Sequence, residues 1–319
     1  MTGLDDAPAA ALAWAKAGKG AALATVIETW GSAPRPRGSQ LAISQDAELV
    51  GSVSGGCVEG AVVAEALDAM GDLTHRVLEY GVSDDEAFAV GLACGGTIRI
   101  LLEPVGGGLT VETLTDLVNR RARPEAVGQA VNVASGTTHL IAADDLRDRL
   151  NADRSGFEPD GETFVTLHAP PLRLAVVGGV HIAQALVPMA RIAGYAVTVI
   201  DPREAFASSD RFPDTTLVHD WPDEAMVAFA PDARTAVVLL THDPKLDDPA
   251  LRVALGSDAF YVGALGSTRT HAKRRDRLAD LGPALDRIDA PIGLDIGSKT
   301  PGEIAVAVLA AMTQALRRP

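Results

Sequence analysis

The distribution of apolar residues divides the chain into two halves with different patterns. In the first half, short apolar runs that favour strands are separated by polar turns and by a few segments with helical spacing. The predicted strands span residues 21–28, 40–44, 49–53, 76–80, 97–103, 126–134 and 138–143, and the predicted helices span residues 6–18, 58–70 and 113–121. This mixture predicts a smaller N-terminal domain of mixed α+β structure.

The second half alternates fully apolar strands with helices, which is typical of a buried parallel sheet. The predicted strands span residues 172–177, 195–200, 235–240 and 259–262, and the predicted helices span residues 182–193, 250–255, 268–281 and 301–316. A polar segment with Gly and Pro at residues 154–162, followed by Pro170-Pro171, marks the boundary. We therefore expect domains over residues 1–160 and 171–319, the second a Rossmann-like doubly wound α/β sheet.

Composition and charge narrow the range of functions. A formal net charge of −14 argues against a general nucleic-acid binder. No apolar run approaches the ~20 residues that span a bilayer, and the acidic N-terminus shows no signal peptide. With only two cysteines in the chain there is no disulfide framework, so a reducing cytoplasm is the expected location.

Both cysteines lie in glycine-rich turns, and we interpret these turns as two sides of one site. Gly55-Gly56 precedes Cys57 at a predicted helix start, and Cys94 precedes Gly95 just before a strand. Glycines allow tight turns and close approach of a ligand to the backbone. The seven histidines are scattered and finger spacing is absent, so zinc is not expected, but soft thiolates suit another metal or a sulfur atom. The alternative is that both thiols are small buried apolar groups.

The loop at residues 30–39 contains two prolines, two glycines and two arginines. Its hydroxyls, backbone N–H groups and the guanidinium of Arg35 would suit a phosphorylated ligand. A rigid surface connection is the other interpretation.

The second half begins with the order of a dinucleotide-binding unit. A strand is followed by Gly178-Gly179, a helix, a second strand and Asp201. The glycine pattern is imperfect because Val180 occupies the middle position, where a glycine normally lets a pyrophosphate approach. The fold prediction is unaffected, but dinucleotide binding is less strongly supported.

Two further loops follow predicted strands and would therefore line the ligand crevice of such a sheet. His242 and Asp243 are candidates for proton transfer, with a helix cap as the alternative. Gly266 and Ser267 open a helix and form a second candidate anion site.

The segment before the last helix contains a predicted capping box. Thr300 is the N-cap, Pro301 occupies the first helical position, and Glu303 follows three residues after the cap. This leaves Asp295 and Lys299 without a structural explanation, and both are candidate site residues.

Several motifs together resemble one family. The first-half stretches are similar to the N-terminal domain of the XdhC/CoxI family, and the second-half stretches to its Rossmann domain. They span residues 31–35, 51–60, 94–96 and 102–104, and then 176–183, 199–203, 240–245, 261–267, 271–275 and 290–297. Val180 departs from the glycine that is usual in the family.

The resemblance implies a maturation factor more than an enzyme in its own right. Such proteins bind the molybdenum cofactor, protect it through sulfuration with a sulfur donor such as a cysteine desulfurase, and deliver it to an apo-hydroxylase of the xanthine dehydrogenase or carbon monoxide dehydrogenase type. By this resemblance Cys57 and Cys94 would contact the metal, and a homodimer is expected. The remaining candidate cofactor-binding residues are Arg35, Gly55, Gly56, Gly95, Gly178, Gly179, Asp201, Gly266, Ser267 and Asp295.

Two other functions stay open. The chain could be an NAD(P)-dependent oxidoreductase, with Asp201 on the ribose and His242 as the acid or base. It could also be a non-catalytic scaffold with a vestigial Rossmann half, which would bind no ligand at all.

Overall fold

A computed structural model describes residues 6–31, 35–81, 96–123 and 125–318. The chain forms two compact units, Met1–Pro170 and Pro171–Pro319, and each is described by itself.

The first unit combines two antiparallel sheets with short helices. Its elements are α1 (Ala7–Lys16), β1 (Ala21–Trp30), β2 (Gln40–Ser44), β3 (Leu49–Gly51), α2 (Glu59–Asp72), β4 (Arg76–Tyr80), β5 (Thr97–Pro104), α3 (Val111–Ala122), β6 (Val127–Asn132), β7 (Thr138–Ala142), α4 (Arg147–Ala152), β8 (Gly156–Phe157) and β9 (Thr163–His168). The strand orders are β3-β2-β1-β5-β4 and β7-β6-β9-β8.

Strand β1 lies at the centre of the five-stranded sheet and is buried on both faces. Because side chains alternate across a strand, Ala22 and Ala24 point to one face and Leu23 and Ile27 to the other. The first face packs against the apolar side of α2. Leu23 packs against α1 and α3, while Ile27 packs against the four-stranded sheet through Phe164. The start of α2 is thereby fixed to the middle of the unit.

A polar network is buried inside this unit. Glu103 of β5 is 1% exposed and accepts hydrogen bonds from the Thr138 hydroxyl at 2.6 Å and the Gln129 amide at 3.2 Å. The Gln40 amide in turn donates to Gln129 and to Thr25. No cation pairs with Glu103 among the described residues, so the carboxyl group is buried without a counter-charge.

The second unit is a six-stranded parallel sheet with helices on both faces. Its elements are β10 (Leu172–Val177), α5 (His181–Ile192), β11 (Tyr195–Ile200), β12 (Thr216–Val218), α6 (Pro222–Phe229), β13 (Thr235–Leu239), α7 (Pro244–Leu255), β14 (Tyr261–Ala264), α8 (Thr268–Arg277), β15 (Ile288–Asp289) and α9 (Pro301–Arg317). The strand order is β12-β11-β10-β13-β14-β15.

This order confirms the predicted Rossmann-like doubly wound sheet. Leu174 and Val176 face a core shared with α5 and α9, and Ala175 and Val177 face a core shared with α6 and α7. The chain first runs outward from β10 to β12 and then crosses to β13 on the other side of β10. The point between β10 and β13 is therefore the switch point at which ligands bind in open α/β sheets.

Several elements differ from the prediction. Strand β9 was not predicted, although it pairs with β6 from Val127↔His168 to Asn132↔Thr163. Helix α7 begins at Pro244 rather than at residue 250, because Asp243 caps it and Pro244 occupies its first turn. Helix α8 ends at Arg277 rather than at residue 281, and a 3-10 segment (Ala279–Arg287) with Gly282 at φ 55° follows it. Strands β12 and β15 and helix α6 were also missed.

Candidate functional site

The loop that carries Cys57 connects β3 to α2 and depends on its glycines. Gly51, Gly55 and Gly56 have φ values of 91°, 75° and 113°, which side chains rarely adopt. A Cβ on Gly51 would also lie 2.3 Å from the Gln40 carbonyl oxygen. The loop can therefore turn sharply just before the helix.

The carboxylate of Glu59, the first residue of α2, organises this loop. Its Oε1 accepts hydrogen bonds from the Ser52 hydroxyl at 2.8 Å and from the N–H groups of Val53 and Ser54 at 3.3 and 2.9 Å. Its Oε2 accepts from the Gly56 N–H at 2.9 Å and from the Ser54 hydroxyl. One carboxylate thus holds five donors of the loop.

Two serine hydroxyls complete the arrangement. The Ser52 Oγ accepts from the Gly55 N–H at 2.9 Å, and the Ser54 Oγ accepts from the N–H groups of Cys57 and Val58 at 3.0 and 2.9 Å. Every backbone N–H from residue 53 to residue 58 therefore has an acceptor within the loop or in Glu59. A ligand here would meet side chains rather than free backbone N–H groups.

Glu59 is ionised throughout the physiological range. Burial alone would raise the pKa of Glu59, but the hydrogen bonds from Ser54 and Ser52 outweigh it and lower this pKa to about 2. The negative charge that compensates the loop N–H groups and the helix N-terminus is thus built into the chain.

Two predicted site residues lie at this loop. Cys57 is half-buried and packs at the margin of the core beneath α2. The Arg35 Nε donates to the Ser52 carbonyl oxygen at 3.3 Å, and its two Nη groups have no partner among the described residues. Cys94 and Gly95 lie outside the described residues, so the pairing of the two cysteine turns stays a prediction.

The glycine turn after β10 is packed against the chain itself. A Cβ on Gly178, which has φ 107°, would lie 2.7 Å from the Thr241 Cγ2. A Cβ on Gly179 would lie 2.5 Å from the Phe206 carbonyl oxygen. Close contacts within the protein therefore account for both glycines.

Asp201 follows β11 and is 1% exposed. Its carboxylate accepts from the Gly179 N–H at 2.9 Å and from Arg203 through the backbone N–H, Nε and Nη2 at 3.0, 2.8 and 2.7 Å. Burial disfavours the ionised form, but the hydrogen bonds from Arg203 and Gly179 outweigh it and lower the pKa of Asp201. Both oxygens are occupied, so a ribose hydroxyl would have to displace Arg203. Together with Val180, this arrangement does not fit a dinucleotide.

The loop after β13 contains the two residues predicted for proton transfer. His242 is exposed and has φ 61°, an uncommon conformation for a non-glycine residue. The Asp243 carboxylate accepts from the Lys245 N–H at 2.9 Å and caps α7. The Thr241 hydroxyl donates to the Asp247 Oδ1 at 2.6 Å. This loop is shaped by capping contacts, and a catalytic role for His242 and Asp243 stays a prediction.

The remaining candidates lie near helix starts. Gly266 has φ 143°, and the Ser267 Oγ accepts from the Thr270 N–H at 3.2 Å as the cap of α8. Asp295 is exposed in the segment before α9. The capping box formed by Thr300 and Glu303 is confirmed.

Sequence reasoning missed three residues with unusual surroundings. Glu59 was part of the recognised motif, and its place two residues after Cys57 at a helix start was a usable signal. Asp247 and Arg274 form a buried pair between α7 and α8, and their separation in sequence gave no local signal. Within the described ranges, no group of three or more His, Cys, Asp or Glu side chains could hold a metal ion.

The fold and these sites define a protein of two units, one built around the Cys57 loop and the other Rossmann-like. Residues 174–312 match the family model described as the XdhC Rossmann domain, and residues 14–81 match the model of the XdhC and CoxI family. The "Molybdenum cofactor insertion chaperone PaoD" of Escherichia coli (strain K12) is 32% identical over 296 residues, which cover 92% of this chain and 82% of that protein. The chain therefore belongs to the XdhC and CoxI family, as its motifs predicted.

Two further comparisons extend over nearly the whole chain. A probable xanthine dehydrogenase subunit of Bacillus subtilis (strain 168) is 28% identical over 325 residues, which cover 93% of this chain and 94% of that protein. A crystal structure described as a xanthine dehydrogenase from Bacillus halodurans superposes with a TM-score of 0.75 and 24% identity, covering 98% of this chain and 96% of that one. The likeness to the crystal structure supports the fold. Among the described residues, no helix is long and apolar enough to cross a membrane.

Proposed function

We propose that this chain is an accessory protein that binds the molybdenum cofactor as cargo and delivers it to a molybdenum hydroxylase of the xanthine dehydrogenase type. Family membership and the name of the E. coli relative support the cofactor. The name of the B. subtilis relative supports the class of acceptor enzyme.

The observation that carries the proposal is the preorganised loop around Cys57. The backbone that carries the half-buried Cys57 thiol is held in place by hydrogen bonds at 2.9–3.0 Å, which the N–H groups of Gly56, Cys57 and Val58 donate to Glu59 and Ser54. Such a loop does not need to be ordered when a ligand binds, which lowers the entropic cost of binding.

The residues present fit the cargo. A thiolate is a soft ligand that suits a soft metal centre or its sulfur. The Nη groups of Arg35, which have no partner among the described residues, offer the forked donor geometry that phosphate groups prefer. Cys57 would therefore meet the metal end of the cofactor, and Arg35 its phosphate-bearing end, with Gly55 and Gly56 forming the wall between them.

The finer parts of the proposal concern the assembly. We propose that Cys94 also contacts the metal, and that the other candidate residues contribute to cofactor binding: Gly95 in the first unit, and Gly178, Gly179, Asp201, Gly266, Ser267 and Asp295 in the second. The chain would act as a cytoplasmic homodimer, and a cysteine desulfurase would supply sulfur while the cofactor is held. The bound cofactor would supply redox chemistry in the acceptor enzyme, whereas this chain would bind it as cargo.

The proposal is tested by expressing the protein in a cofactor-producing host and purifying it without oxygen. Molybdenum is measured by elemental analysis and pterin by fluorescence after oxidation. We expect both in near-equal amounts with the chain. A preparation that contains neither, but releases NAD(P) on denaturation, would instead favour the oxidoreductase.

A further inference from the structure

The N-terminus of α8 presents a row of backbone N–H groups without acceptors. The N–H groups of Gly266, Ser267, Thr268 and Arg269 donate to no described residue, whereas that of Thr270 is capped by Ser267. Ser267, Thr268 and Arg269 are exposed and Gly266 is half-buried, so the turn lies at the surface of the unit. A helix N-terminus also carries a partial positive charge that favours anions.

A buried guanidinium lies directly beneath this turn. Arg274 is 1% exposed, and its Nη2 donates to the Leu265 carbonyl oxygen at 2.8 Å. A Cβ on Gly266 would be 3.8 Å from the same Nη2. The Nε and Nη1 of Arg274 have no hydrogen-bond partner among the described residues. Buried donors are nearly always bonded, so a guanidinium with one hydrogen bond is unusual.

Asp247, the acidic neighbour of Arg274, does not accept a hydrogen bond from its guanidinium. The Asp247 Oδ2 lies 3.8 Å from the Arg274 Nη2, beyond hydrogen-bond distance, and has no hydrogen-bond partner among the described residues. Asp248 is already paired with Arg277 at 2.6 and 2.9 Å. A buried pair with this geometry recovers little of its desolvation cost, so it is poorly explained by stability alone.

We propose that the turn at residues 266–269 binds a phosphate group, with Arg274 as the buried counter-charge behind it. The exposed side chain of Arg269 lies in the first turn and pairs with no described acid. A phosphate has enough oxygens to accept at once from several backbone N–H groups of the turn and from the guanidinium of Arg269. The phosphate could belong to a nucleotide or to the pterin cofactor. Only the second source rests on the proposed function.

Thr268→Pro is the decisive variant. Thr268 is the first helical residue, where proline is favoured, and Ser267 before it has φ −73° and ψ 165°, which proline allows in the preceding residue. The substitution removes one N–H without disturbing the helix. Thr268→Ala is its matched control, because it keeps the N–H and removes only the side chain. Arg274→Gln tests the counter-charge. Arg275→Gln is its control, because the Arg275 side chain is 42% exposed and pairs with Asp286.

The probe is inorganic pyrophosphate, titrated calorimetrically at low salt into the full chain freed of cargo. We expect one site per chain, binding about tenfold weaker in Thr268→Pro and in Arg274→Gln, and unchanged within about twofold in both controls. Absence of binding, or equal affinity of Thr268→Pro and Thr268→Ala, would overturn the site. Arg274→Gln leaves Asp247 in the core without a counter-charge, so this variant could fail to fold. In that case the comparison of Thr268→Pro with Thr268→Ala decides whether the site exists.

Competition then identifies the source of the phosphate. Displacement of pyrophosphate by AMP at concentrations where inorganic phosphate has no effect would indicate a nucleotide. The same result with the isolated pterin cofactor would indicate the cargo. Pyrophosphate binding does not require molybdenum, so the phosphate site can be present even if the protein carries no molybdenum cofactor. Equally, the protein can carry the cofactor even if pyrophosphate does not bind at this turn.

Discussion

Glu103 should make the stability of the first unit fall as pH rises. Burial raises the pKa of Glu103 to about 7 from 4.5, and the hydrogen bond from Thr138 only partly offsets this. Below pH 4.5 the carboxyl group is protonated in both the folded and the unfolded chain. Between pH 4.5 and 7 the unfolded chain releases the proton while the folded chain retains it, so the free energy of unfolding decreases. Above pH 7 both forms are ionised and the loss is complete.

The magnitude follows from the difference between the two pKa values. Each pKa unit of difference between the folded and the unfolded chain corresponds to about 1.4 kcal/mol. The free energy of unfolding therefore decreases by on the order of 3 kcal/mol between pH 4.5 and pH 7. Glu103→Gln cannot ionise and should remove this loss. The Thr138 hydroxyl still has an oxygen acceptor in the variant. Flips of both the Gln129 and the Gln40 amides, with the Thr25 hydroxyl then donating to Gln40, restore the other hydrogen bonds of the network. We therefore expect the variant to match the wild type near pH 4.5 and to be more stable at pH 8.

The assay is urea unfolding from pH 4.5 to pH 8, followed by tryptophan fluorescence. Trp221, which is 54% exposed, is replaced by Phe so that the signal comes from Trp14 and Trp30 of the first unit. Glu48→Gln serves as the control, because its side chain is 53% exposed. The reasoning is refuted if Glu103→Gln and the wild type lose stability with pH at the same rate.

Three further substitutions test other contacts. Glu59→Gln replaces one of the two accepting oxygens by an NH2 group, so part of the loop loses its acceptor and Cys57 should be alkylated several-fold faster by iodoacetamide in a Cys94→Ser background, as followed by peptide mass spectrometry. An unchanged rate, equal to that of Glu65→Gln, would show that Glu59 does not hold the loop. Gly179→Ala places a Cβ 2.5 Å from the Phe206 carbonyl oxygen and should destabilise the second unit by about 1–3 kcal/mol in urea unfolding, whereas a neutral effect would mean that the turn yields easily. Thr300→Ala should cost about 1 kcal/mol by the same measurement while Thr300→Ser costs little, and equal losses would argue against the capping hydrogen bond.

Most strands and helices could be predicted because their apolar periodicity is a local property of the sequence. Strand β9 was missed although its Thr, Phe and Val residues favour strands, because it lies between the polar segment at residues 154–162 and Pro170-Pro171, where the boundary between the domains was expected. It pairs with β6. The start of α7 was missed because the residues after Asp243 were interpreted as part of a loop, although the cap at Asp243 makes a proline in the first turn favourable.

The candidate sites were less predictable than the fold. The motif located the Cys57 loop, but it did not show that Glu59 takes up the N–H groups that an anion would otherwise use. Asp201 was predicted as a ribose ligand from its position alone, and its pairing with Arg203 depends on side-chain geometry that spacing does not encode. Arg274 and Asp247 meet only after two helices have packed.

The most direct test of the central claim compares the molybdenum and pterin contents of the wild type and Cys57→Ala, purified side by side without oxygen from a cofactor-producing host. Cys57 is half-buried in a small loop, so the variant should fold normally, which circular dichroism checks. The account predicts near-stoichiometric cofactor in the wild type and at least a tenfold loss in the variant, on the order of 1.4 kcal/mol or more of binding free energy. Equal molybdenum and pterin contents in the two proteins would contradict this prediction and would show that the Cys57 thiol does not bind the cofactor.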